Sequence, residues 1–183
     1  MAGIHTYKHN GKDVSIYGID HSVGRGGMNR MDDVQLIQVM INRYIDWRAY
    51  AHTTETSIDS RVLDRSGRQI DYLKVDGRCG PLTLAAIVAT QKALNLWRGS
   101  AVDGRFDAFK DGSASVHQGP LTYGHRPFTS MYALAVATRA TPEGSAPGYV
   151  SPGTTRFDVF TLPEPLKGAL LRAGLKGLVG IFK

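Results

Sequence analysis

Residues 75–88 read VDGRCGPLTLAAIV, and in this stretch a tight turn runs directly into the start of a helix. Gly77 can adopt the positive φ that such a turn needs. Pro81 suits the first helical position because that position needs no amide donor. Leu84 and Ile87 then recur at helical spacing. We therefore expect a helix that begins at Pro81 and buries the face carrying these two residues.

A second helical pattern precedes this stretch. Val34 and Ile37 open an apolar face with helical spacing, and the acidic residues at 32 and 33 suit a first turn. Asn29 or Asp32 can cap the helix. The polar residues of this helix are expected mostly on its other faces: Gln35, Gln38, Asn42 and Arg43.

Turn-forming residues predict the connections around these two helices. Asn10 and Gly11 separate two strand-like runs, which is a strong hairpin signal. The glycine-rich residues 22–27 predict a loop without regular structure. Polar residues 48–60 predict a second loop, and a second small hairpin is expected within residues 61–73.

The rest of the chain predicts weaker elements. Residues 95–118 are expected to be loop-rich, with a turn at 102–104, and a third helix is expected from about Thr129 to Arg139. The predicted parts of the chain are a domain with an N-terminal hairpin and insertions at 1–139, a loop or linker at 140–155, and a strand with a basic amphipathic helix at 156–183. Glycines in that last helix lower its helix propensity, so we expect it to dock on the domain. These elements predict a mainly α protein with short β-hairpins, an α+β fold.

Composition narrows the function classes. The chain has 183 residues, a formal net charge of +6 and one cysteine. One cysteine excludes an internal disulfide framework and a cysteine-rich zinc site, and no cofactor or metal is expected. We expect neither a transmembrane segment nor a secretory signal. The basic balance favours an anionic partner, and nucleic acid is the least supported one because no nucleic-acid-binding motif accompanies the charge.

The two helices and the turn between them resemble the small three-helix peptidoglycan-binding domain. The resemblance lies in the pattern Val34-x-x-Ile37-Gln38-x-x-Ile41-Asn42 and in the stretch that runs from Val75 to Gln91, and it spans about residues 22–98. It implies a three-helix core with a long inter-helix insertion at 46–73. The chain departs from the family pattern at Cys79 and Thr90, where the family usually carries phenylalanine.

Two sets of candidate site residues follow. By resemblance, the ligand contacts near a groove beside the helices are Arg25, Asn29, Arg78 and Thr83. An enzyme would instead use Cys79 with His117 and His125, because a cysteine nucleophile needs a histidine base. Cys79 is more easily explained as a small buried residue, which favours a role without catalysis.

The resemblance implies a non-catalytic bacterial cell-wall binder whose partner is peptidoglycan or another protein of a secretion or phage system. It would be made in the cytoplasm and delivered to the periplasm or cell wall by a non-classical route, as an accessory or effector component of a specialised secretion system or a phage lysis set. Two alternatives stay open. One is a small peptidoglycan hydrolase or toxin that uses the C-terminal region, and the other is an adaptor or immunity protein.

Overall fold

The described residues form three helices and two two-stranded sheets. The structure is a computed structural model that describes residues 2–9, 12–54, 70, 72–98, 102–108, 134 and 162–179. This mixed arrangement agrees with the predicted α+β class. In chain order the elements are β1 (Gly3–His9), β2 (Lys12–Gly18), β3 (Val23–Gly24), α1 (Met31–Thr54), α2 (Pro81–Arg98), β4 (Arg105–Phe106) and α3 (Leu166–Val179).

Strands β1 and β2 form the antiparallel pair that the Asn-Gly signal predicts. Their register runs from Gly3↔Gly18 to His9↔Lys12, so two residues connect the strands. Those two residues lie outside the described part of the chain. Ile16 of β2 is fully buried, which ties the hairpin to the hydrophobic core.

Helix α1 is longer than its pattern predicts. It continues to Thr54, so the expectation of a loop is wrong for residues 48–54. No glycine or proline occurs between Met28 and Ser66, and the polar residues of this stretch therefore do not interrupt the helix.

Three amide side chains on one stripe of α1 bind the backbones of neighbouring segments. Asn42 accepts the Leu73 N–H at 2.8 Å and donates to the Leu73 carbonyl at 2.9 Å. Gln35 accepts the Leu166 N–H at 3.2 Å, and Gln38 binds the turn described below. Gln35 and Gln38 are buried, so the expectation that they face away from the core is wrong. Burial is tolerated because their amides are hydrogen-bonded.

Helix α2 begins at Pro81 as predicted and packs against α1. Ala86 and Ile87 are fully buried in the same core as Ile37. The helix continues to Arg98, so the expected loop is wrong for residues 95–98. Thr90 is also fully buried, and its hydroxyl has no hydrogen-bond partner among the residues that the structure describes.

A short sheet replaces part of the predicted glycine-rich loop. Strand β3 pairs antiparallel with β4, with Val23 opposite Phe106 and Gly24 opposite Arg105. Val23 and Phe106 are fully buried, and their burial secures the pairing. The expectation that residues 22–27 lack regular structure is therefore wrong for the two residues of β3.

Helix α3 packs on α1 and β1. Its residues Leu166, Ala169 and Leu170 are buried, and they form its contact face. Gln35 of α1 binds the N-terminal end of this helix through the Leu166 N–H and the Glu164 carbonyl, the second at 3.4 Å. The amide of α1 thus supplies an acceptor to a helix end that lacks one of its own.

Several predictions fall wholly or partly outside the described residues. Ile70, Tyr72 and Leu73 of the expected second hairpin are described, and none of them lies in a strand. Of the expected third helix only Leu134 is described, and it is helical and fully buried. The linker at 140–155, the strand near 157–160, His117 and His125 lie outside, and the division into domains stays a prediction. No helix in the described ranges is long and apolar enough to span a membrane.

Candidate functional site

The Asp76–Arg78 turn is held by one buried side chain of α1. Gln38 accepts the Gly77 N–H at 3.0 Å and donates to Asp76 Oδ1 at 3.1 Å and to the Arg78 carbonyl at 3.2 Å. Asp76 also accepts the Arg78 N–H, at 2.9 Å. Thr83 closes the turn by donating its hydroxyl to the Arg78 carbonyl at 3.1 Å. The turn is therefore specified by side chains from both helices.

A second turn at residues 103–105 is built in the same way. Gln91 of α2 accepts the Gly104 N–H at 2.8 Å and donates to Asp103 Oδ1 and to the Arg105 carbonyl, both at 2.9 Å. Asp103 accepts the Arg105 N–H at 3.0 Å. Each helix thus carries one buried glutamine that holds the turn following it in the chain.

The duplication is also present in the sequence, although neither glutamine was predicted to hold a turn. Residues 75–78 and 102–105 both read VDGR, while residues 38–42 read QVMIN and residues 91–95 read QKALN. This internal repeat is the signal in the sequence that identifies Gln38 and Gln91 as a matched pair.

Hydrogen bonds to the two turn carboxylates change their acidity. Bonds from the Arg78 N–H and from Gln38 lower the pKa of Asp76. Burial on its own raises the pKa of Asp103, but bonds from Gln91 and the Arg105 N–H outweigh it and the pKa lies below its ordinary value. Both side chains therefore stay ionised and engaged within their turns at neutral pH.

The glycine loop after β3 lies between the two turns. Asn29 accepts the Gly24 N–H at 2.8 Å and donates to the carbonyls of Gly24 and Gly27, at 3.2 and 3.0 Å. The backbone N–H of Arg25 donates to the Gly104 carbonyl at 2.9 Å. The loop is therefore ordered by its own asparagine and anchored to the second turn.

The loop also contacts the first turn at both of its ends. The Gly24 N–H, which donates to Asn29, also lies near enough to the thiol of Cys79 to lower its pKa, and a Cβ added to Gly77 would lie 2.9 Å from the Met31 carbonyl oxygen. We call the continuous area formed by residues 24–31 and 76–82 the loop–turn surface.

Three of the four predicted contact residues, Arg25, Asn29 and Arg78, lie on this surface, and Thr83 is buried directly after it at the start of α2. Arg25 and Arg78 are exposed. Asn29 and Thr83 direct their polar atoms into the loop and the turn, and Thr83 is only 4% exposed. The arginines are therefore available to a ligand, whereas the asparagine and the threonine position the backbone that carries them.

Cations and large apolar side chains share the loop–turn surface. Arg30 is exposed together with Arg25 and Arg78, and no salt bridge engages the three guanidinium groups within the described part of the chain. The large apolar side chains on the same surface are Met28, Met31 and Leu82, which are 64%, 55% and 79% exposed. A contiguous group of cations and apolar side chains in water is typical of an interaction surface.

Cys79 has the environment of a structural cysteine. It is half-buried and packs against the core. Burial raises the pKa of its thiol, and the nearby Gly24 N–H only partly offsets this. A raised pKa disfavours the thiolate that a nucleophile needs. Over the described ranges, no cluster of three or more histidine, cysteine or acidic residues has the geometry to hold a metal ion.

A second polar cluster joins the N-terminal hairpin to the start of α1. Asp33 is fully buried, accepts the Asp20 N–H at 3.2 Å and lies 3.1 Å from His21 Nδ1. Asp32 accepts the Ala2 N–H at 2.9 Å. In the same cluster, His5 Nε2 lies 3.2 Å from the Asp20 carboxylate. Because Asp32 binds the hairpin and Asn29 binds the loop, neither side chain caps α1 as expected.

This cluster predicts a dependence of stability on pH. Burial raises the pKa of Asp33 above its ordinary value of 3.8, with a further contribution from the charge of Asp32. The folded protein therefore holds the Asp33 proton more tightly than the unfolded chain. The contribution of Asp33 to the free energy of unfolding is complete below about pH 3.8 and declines as the pH rises through the folded-state pKa.

Asp33→Asn should remove the loss of stability that Asp33 causes as the pH rises, because the amide oxygen still accepts the Asp20 N–H and the side chain carries no charge. We expect the variant to gain stability relative to the wild type in urea denaturation as the pH is raised from the ordinary Asp33 pKa of 3.8 toward neutral pH. Asp107→Asn removes an exposed carboxylate paired with Arg105 and serves as the control. A difference between Asp33→Asn and the wild type that is constant across this range would contradict the prediction.

No protein-family model, curated protein or solved structure matches the chain. The resemblance to the peptidoglycan-binding domain therefore rests on the residues of the chain itself and stays a prediction.

Proposed function

We propose that this protein is a non-catalytic peptidoglycan-binding protein and that it binds the cell wall through the loop–turn surface. The observation that carries the proposal is the group of three exposed arginines, Arg25, Arg30 and Arg78, on a backbone that the side-chain amides of Asn29 and Gln38 hold in place. Guanidinium groups match the geometry of carboxylates, and the wall polymer is rich in carboxylates.

Two further features support the proposal. The residues that carry the family resemblance, Gln38, Gly77 and Thr83, are those that build the turn beneath Arg78. The raised pKa of the Cys79 thiol argues against the nucleophile that a cysteine hydrolase would need. We place the protein, on the same proposal, among the accessory or effector components of a secretion system or a phage lysis set.

Sedimentation with purified sacculi tests the proposal. The wild-type protein should sediment with sacculi at low and moderate salt, and the double variant Arg25→Glu, Arg78→Glu should bind at least about tenfold more weakly because it loses two charge-assisted contacts. The matched control is Lys92→Glu with Arg172→Glu, which makes the same charge change at exposed positions. Lys92 lies ten residues beyond Leu82 along α2, or about 15 Å from the surface.

Any one of three results would overturn the proposal. The first is that the wild-type protein stays in the supernatant even at low salt, and the second is that both double variants lose binding equally, which would mean that net charge rather than this surface causes the binding. The third is that the protein lyses the sacculi.

A further inference from the structure

The loop–turn surface offers a narrow set of chemical groups. Its exposed polar side chains are guanidinium groups, which only donate hydrogen bonds, and its exposed apolar side chains are aliphatic. Donor-only cations are complementary to acceptor-only carboxylates, in which each oxygen accepts without a competing donor. This complementarity selects a ligand with several carboxylates.

The groups that recognise sugars are engaged elsewhere. Sugar hydroxyls donate as well as accept, so their recognition uses amides, carboxylates and aromatic faces. On the loop–turn surface the amide of Asn29 and Oδ1 of Asp76 bind the protein's own backbone, as does the hydroxyl of Thr83 directly after this surface. Among the residues whose side chains are described, Tyr72 is the one large aromatic side chain that is highly exposed, and its hydroxyl binds Asp46 of α1.

The combination of cations and apolar groups fits a peptide. Arg25 and Arg30 precede and follow Met28 in the loop, and Arg78 follows Gly77, which approaches Met31. A bound chain would meet both guanidinium and apolar groups. The short peptides of peptidoglycan carry both carboxylates and the methyl groups of alanine.

We infer that the loop–turn surface binds the carboxylate-bearing peptides of the cell wall and not its sugar strands. This inference rests on the proposed function, because it names the part of the wall polymer that the same surface recognises. The charge of the ligand and its small apolar side chains both contribute to the binding.

Competition against sacculus binding tests the inference with four probes. These are a synthetic wall peptide, the same peptide with its carboxylates amidated, peptide-free glycan strands and poly-glutamate. We expect the peptide to displace the protein from sacculi and the glycan strands to have no effect. The amidated peptide should compete at least about tenfold more weakly because it lacks the carboxylate partners of the arginines.

The variants give an independent readout of direct binding. Chemical-shift changes on adding the synthetic peptide should map to residues 24–31 and 76–82, and Arg78→Glu should weaken peptide binding at least about tenfold while Lys92→Glu leaves it unchanged. Competition by poly-glutamate that equals that of the wall peptide would overturn the inference in favour of a general acidic partner.

The two proposals fail in distinguishable ways. If the protein binds sacculi but the peptide does not compete, the inference is wrong whether or not glycan strands compete, and the proposed function stands. If the protein does not bind sacculi at all, the proposed function is wrong and the inference fails with it.

Discussion

Replacing Gln91 with alanine is expected to lower the free energy of unfolding by about 3 to 5 kcal/mol. Gln91 is fully buried, and its amide makes three of the hydrogen bonds that hold the turn at residues 103–105. Without it the buried Gly104 N–H loses its acceptor, which costs about 1 to 3 kcal/mol, and the space of the amide adds a cavity. Urea denaturation monitored by circular dichroism measures the loss.

Matched variants separate this effect from a general change in α2. Lys92→Ala removes the adjacent, exposed side chain and should change stability by less than about 0.5 kcal/mol. Gln91→Glu keeps an acceptor for the Gly104 N–H but places a carboxylate against Asp103, so it should also destabilise the protein. A loss for Gln91→Ala no larger than that for Lys92→Ala would show that the turn does not depend on the glutamine.

Local signals in the sequence predict the hairpin and the start of α2. The Asn-Gly pair and Pro81 act through their own backbone preferences, and those preferences hold in the folded protein. The apolar faces of α1 and α2 are likewise local patterns, because their period follows from the geometry of the helix. These elements need no information about distant parts of the chain.

Long-range contacts explain what the sequence could not show. Val23 pairs with Phe106 across more than eighty residues, and no local pattern in a glycine-rich run indicates such a partner. Gln35 and Gln38 are polar, so hydrophobic periodicity assigns them to the solvent side, yet they bind the backbones of α3 and of the turn. Their burial depends on partners that are distant in the sequence.

The role of the four predicted contact residues stays a prediction, because no ligand contact is observed. The resemblance groups Arg25, Asn29, Arg78 and Thr83, and the structure places the first three on the loop–turn surface and Thr83 buried directly after it. The resemblance does not distinguish the side chains that hold the backbone from those that face solvent. That distinction depends on where each polar atom finds a partner, which a motif does not record.

Replacing Gly24 with alanine is expected to destabilise the protein by at least about 3 kcal/mol. Gly24 has a φ of +122°, which side chains rarely adopt. An added Cβ would press against the Gly104 carbonyl oxygen and lie 2.9 Å from the Cα of Arg105. Both are backbone atoms, so relief requires that β3 move away from β4 and that the bond between the Arg25 N–H and Gly104 stretch or break.

Gly26→Ala separates the two causes of this expected loss. Gly26 also has a positive φ, of +66°, but an added Cβ there meets nothing within 4 Å. Gly26→Ala should therefore lower the free energy of unfolding only by the conformational penalty, about 1 kcal/mol. Because the collision in Gly24→Ala also displaces Arg25, that variant should bind sacculi more weakly under conditions where it is still folded, whereas Gly26→Ala should keep its binding. Equal losses of stability for the two variants would show that β3 and β4 do not approach as closely as this geometry requires.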